Sequence, residues 1–70
     1  MTFAERLARE RIARMEQAAV ECAARCRAAH PGWGQYDLWG AVERAISADY
    51  AGWLMRLPVD TARAIVRRVV

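Results

Sequence analysis

Apolar residues recur every three or four positions along most of this chain, and the recurrence is interrupted twice, at His30-Pro31-Gly32 and at Leu57-Pro58. A period near 3.6 is that of a helix burying one face. No stretch alternates apolar with polar residues as a half-buried strand does. The pattern therefore predicts an all-α fold of three helices: a long one over about 3–29, a medium one over about 38–56 and a short one over about 59–69. The segment 30–36 is expected as a loop, and the whole as a helical hairpin or three-helix bundle in a single domain.

The first helix opens on Thr2-Phe3-Ala4-Glu5, the Ser/Thr-x-x-Glu form of a capping box, in which each end side chain satisfies an orphan backbone N–H. Phe3, Leu7, Ala8, Ile12, Met15, Ala19, Cys22, Cys26 and Ala29 read as one broad stripe. Arg6, Arg9, Glu10, Glu16, Gln17, Glu21 and Arg27 take the other side. Glu5–Arg9, Glu10–Arg14 and Glu21–Arg25 stand in the favourable i,i+4 order. At 1.5 Å per residue such a helix is roughly 40 Å long, whereas a compact chain of this length has a radius of gyration near 11 Å. Either the helix bends, or it runs past the rest of the chain. The small-residue spacing Ile12-Met15-Ala19-Cys22-Cys26 suits close antiparallel packing on another helix, either of the same chain or of a second copy in a homodimer.

In the second helix Asp37 is the expected cap, and Leu38, Val42, Ile46, Tyr50, Trp53 and Leu57 form the apolar face, flanked by Trp39 and Ala45. Asp49 falls in the middle of that face. A carboxylate there must be paired, open to solvent, or placed where the helix breaks and a new turn needs a cap. Ser47-Ala48-Asp49, with Gly52 soon after, marks a break near residue 48 as an alternative to one continuous helix. Pro58 suits the first position of the third helix, and Asp60 suits its first turn. Ala62, Ile65, Val66, Val69 and Val70 supply its apolar face.

Composition narrows the class. The 70 residues are 56% hydrophobic and 27% charged, with a net charge of +3 and a calculated pI near 9.5. Disordered and collagen-like chains are excluded by the apolar content, and no apolar run approaches the roughly 20 residues of a bilayer span. No apolar leader follows Met1, and two cysteines in such a chain suit free thiols in a reducing cytoplasm. All eleven basic residues are arginine, each a planar cation with five donors.

The inventory for catalysis is thin. His30 is the lone histidine and Ser47 the lone serine; there is no phosphate-cradling glycine loop and no nucleophile elbow. A non-enzymatic protein without a cofactor is expected. Cys22-x-x-x-Cys26-x-x-x-His30 offers thiolate and imidazole donors, but three ligands in one helical row do not converge on one ion. A metal or thiol sensor is accordingly the weakest of three readings. Nucleic acid is the alternative, through Arg6, Arg9 and Arg14 of the first helix and Arg63, Arg67 and Arg68 of the last. Residues 1–29 and 58–70 each carry net +2 and 30–57 carry −1, so the charge is spread along the chain, and no asparagine is present to read bases.

Five of the six aromatic residues lie between Trp33 and Trp53. Trp, Tyr and Arg are the residues enriched at interface hot spots, and two of these aromatics, Trp33 and Tyr36, sit in the loop. The favoured expectation is a small protein-interaction module, of the kind that serves as an accessory factor or as a phage- or plasmid-encoded inhibitor. Trp33, Tyr36, Arg63, Arg67 and Arg68 are the candidate partner-binding residues. Ile12, Met15, Ala19, Cys22 and Cys26 are the candidates for a homodimer interface. Stable membrane association is not expected, because the first helix pairs an alanine-rich face with four glutamates.

Overall fold

The Thr2 hydroxyl accepts the Glu5 N–H at 3.2 Å, and the Thr2 carbonyl accepts the Arg6 N–H at 3.1 Å. These two bonds start α1 (Phe3–Ala29) where the capping signature placed it. The computed structural model describes residues 2–49 and 59–70; in these, α1 is followed by α2 (Gln35–Asp49) and α3 (Val59–Val69). The fold is all-α, with each helix packed on the other two. None of the described helices is long and apolar enough to cross a membrane.

α2 begins three residues earlier than the periodicity suggested. The Gly34 carbonyl accepts the Leu38 N–H at 3.1 Å, which makes Gly34 the cap and moves Asp37 into the first turn. There its charge faces the positive end of the helix dipole. The helix also runs unbroken through Asp49. Ser47 does not interrupt it, because its hydroxyl donates to the Glu43 carbonyl one turn back, at 2.8 Å. The side chain of Asp49 lies outside the described residues, as do Tyr50, Trp53, Leu57 and Pro58.

The core is a single cluster. Met15, Ala19, Cys22 and Ala23 of α1 meet Leu38, Val42 and Ile46 of α2 and Ile65 and Val66 of α3. Trp39, Ala45, Cys26, Val69 and Val70 close its edges, and Ala62 is also fully buried. The faces read for α2 and α3 are thus the buried ones, as far as the described residues extend. Arg63 pairs with Glu43 at 3.5 Å and the Val70 carbonyl meets Gln35 at 3.3 Å, so α3 runs antiparallel to α2.

The stripe on α1 needs correction. Phe3 is 80% exposed and Ile12 42%, while Ala23, absent from the stripe, is buried. At 100° per residue Phe3 and Ile12 stand half a turn apart and cannot share one face. Helix length matters as well: α1 has 27 residues against 15 in α2, and only Met15 onward reaches the core. The molecule is accordingly elongated, 44 × 20 × 18 Å with a radius of gyration of 12.7 Å. Of the residues assigned to a second copy, Met15, Ala19 and Cys22 are covered by α2 and α3 of the same chain and Cys26 is half-buried beside them. Ile12 alone of that set stays exposed.

Candidate partner-binding site

The site lies where α1 ends and α2 begins. His30 precedes a proline, whose ring disfavours helical geometry in the residue before it, and it leaves the helix at φ −133°, ψ 70°. Its N–H still closes the last turn on the Cys26 carbonyl at 2.8 Å. Three residues on, the Trp33 N–H bonds back to the His30 carbonyl at 3.0 Å. This tight turn brings the two rings face to face, 3.9 Å between centroids and 6° between planes. Trp33 nevertheless remains 39% exposed.

Beside the stack opens a groove of about 340 Å³, lined by Arg27 and His30 of the α1 end, by Pro31, Trp33 and Gly34, and by Gln35 and Leu38 of α2. The main-chain carbonyl of Val70 reaches the same place. It accepts long hydrogen bonds from the Arg27 guanidinium at 3.5 Å and from the Gln35 amide at 3.3 Å. Side chains of α1 and α2 therefore meet the residue that follows α3 at one oxygen atom.

A second aromatic pair continues the surface along α2. Tyr36, 84% exposed, meets Trp39 edge-on at 5.7 Å and 85°. Trp39 packs against the core, and the Arg67 guanidinium lies over its ring, 5.7 Å from the centroid. The indole N–H of Trp39 is buried without a hydrogen-bond partner, a desolvation that carries a cost.

Of the five residues assigned to partner binding, the structure brings three to this end: Trp33, Tyr36 and Arg67. Arg63 and Arg68 are engaged elsewhere, in ion pairs with Glu43 and Glu16. On α1, Glu21 accepts from Gln17 at 3.2 Å rather than from Arg25. Arg27 and Gln35 were not singled out by sequence; nothing in a linear reading links them to a carbonyl more than thirty residues downstream. Cys22 is buried and Cys26 half-buried, both as thiols, while His30 is turned to Trp33. Among the described residues no three His, Cys, Asp or Glu side chains are placed to hold a metal ion, so the spacing Cys22-Cys26-His30 does not assemble a metal centre. The chain matches no known family, no curated protein and no solved structure.

Proposed function

We propose that this chain is a non-enzymatic protein-interaction module whose contact surface is the aromatic end formed by Trp33, Tyr36, Trp39 and Arg67. The observation that carries this reading is the different fate of the three aromatics: Trp39 packs on the core, whereas Trp33 and Tyr36 stay open to solvent. Leaving a Trp and a Tyr exposed three positions apart forgoes burial of some of the largest apolar surfaces a chain can offer, and such residues recover that energy in an interface. The groove beside Trp33 has no Asp or Glu in its lining and its one histidine is stacked on an indole, which supports binding rather than general acid–base chemistry. Nucleic-acid binding is the less supported alternative, since Arg63 and Arg68 each face a carboxylate of their own chain.

The test is site-specific photocrosslinking in the native host, with a benzophenone side chain in place of Tyr36 and, as control, in place of the exposed Ala24. The expected result is a discrete adduct with another protein at position 36 that disappears when Trp33→Ala is added. Equal adducts at both positions would show that the aromatic end is no interface.

A further inference from the structure

The electrostatics of this end specify a partner. The lining of the groove holds Arg27 and no Asp or Glu. Arg67 lies over the ring of Trp39, on the same end of the molecule. Two cations thus stand beside the exposed aromatics, one of them in the groove itself. A cleft lined by one sign of charge concentrates ligands of the other, and like charges are disfavoured there.

The groove also shows what kind of group it accepts. Two donors on different helices, Arg27 and Gln35, converge on one main-chain oxygen, that of Val70. Guanidinium is the side chain suited to carboxylate recognition, and here it stands beside an open indole face and the apolar Leu38. We infer that the groove docks an acidic linear segment of a partner protein, its carboxylates set against Arg27 and Arg67 and an apolar side chain laid on Trp33. This rests on the interaction reading above and sharpens it. A peptide is favoured over a nucleic acid because a phosphate track needs a run of unpaired cations, whereas Arg27 alone lines the groove and Arg68 is tied to Glu16.

The full chain, immobilised, is panned against a random dodecapeptide phage library, and the enriched peptides are then made synthetically and measured by fluorescence anisotropy. The expected sequences are rich in Asp and Glu around an apolar residue, and high salt weakens their binding. Trp33→Ala and Arg27→Glu each lower affinity at least about tenfold while keeping wild-type circular dichroism. Should Trp33→Ala lose helicity, Arg27→Gln, which retains a donor for the Val70 carbonyl, still has to weaken the acidic peptides several-fold. Enrichment of neutral or basic peptides that depend on Trp33 would overturn the acidic partner and leave the interaction surface standing. Peptides indifferent to both Trp33 and Arg27, or an empty selection, would overturn the groove itself; adducts at position 36 would then decide the broader reading separately. Displacement of the peptides by lower concentrations of an oligodeoxythymidine would replace the peptide by single-stranded nucleic acid.

Discussion

His30 and Trp33 stack ring on ring across a turn whose backbone they also close, with the Trp33 N–H on the His30 carbonyl. The histidine therefore acts as a platform that holds an exposed indole in one orientation. His30→Ala removes the platform without touching the core. Stability should fall by less than about 1 kcal/mol, while the Trp33 indole gains motion, visible as a lowered heteronuclear NOE of its side-chain N–H. An unchanged NOE would mean that the backbone turn alone positions the ring.

Gly32 sits in that turn, yet its backbone is not in the left-handed region and a Cβ there would meet no atom within 4 Å. The glycine therefore costs conformational entropy without a steric need. Gly32→Ala should stabilise the chain by about 0.4–1 kcal/mol in a denaturant melt, by restricting the unfolded state. Destabilisation would point to a turn geometry that needs glycine after all.

The centre of the core is closely filled by small and branched side chains. Val42, Val66 and Ala19 have no exposed surface. Val42→Ala should cost about 1–3 kcal/mol through lost burial and the cavity left behind. Ala19→Leu should cost a similar amount for the opposite reason, since α2 and α3 leave no room beyond its methyl group. At roughly 0.05–0.15 kcal/mol per residue of total stability, either change consumes much of what holds the fold, and both are read from urea midpoints.

The two cysteines differ in access. Cys22 belongs to the buried cluster and Cys26 to its edge. A thiol reagent applied to the native protein should label Cys26 first and Cys22 only as the chain opens. In Cys26→Ser the fast phase should vanish. Equal rates at both sites would show that α2 does not cover α1 as described.

Trp39 carries an indole N–H without a partner. Trp39→Phe removes the donor and keeps most of the ring, so lost contact and relieved desolvation offset each other. Stability should stay within about 1 kcal/mol of the parent, against a cost of about 2–4 kcal/mol for Trp39→Ala. A large loss in the phenylalanine variant would mean that the N–H is hydrogen-bonded in solution.

The three helices were legible because their signals are local: a capping threonine at Thr2, a proline after His30, and apolar periodicity in Leu38, Val42 and Ile46 and again in Ala62, Ile65 and Val66. The errors on α1 have two origins, the half turn that separates Phe3 from Ile12 and the limited reach of the helices opposite. Periodicity counts which residues could face a partner and does not know how far that partner extends, so Phe3 and Ile12 were grouped with Met15 although only Met15 lies opposite α2. Ser47, part of the break signal Ser47-Ala48-Asp49, lies within α2 with its hydroxyl on the Glu43 carbonyl, and α2 is described as far as Asp49. At the site, Trp33 and Tyr36 could be named from composition and loop chemistry. Arg27, Gln35 and the Val70 carbonyl could not, since their meeting is made by the packing of α3 and has no trace in any short stretch of chain.

That meeting point has a thermodynamic corollary. Because Arg27 lies on α1, Gln35 on α2 and Val70 directly after α3, the arrangement beside the groove depends on all three helices. A ligand held there binds the native state and not the unfolded one, so its binding free energy adds to the cohesion of the whole molecule. Occupancy and global unfolding are then one coupled equilibrium. Saturating ligand should raise the melting temperature of every helix together, and a change that loosens α3 should weaken binding without altering a single residue that the ligand touches.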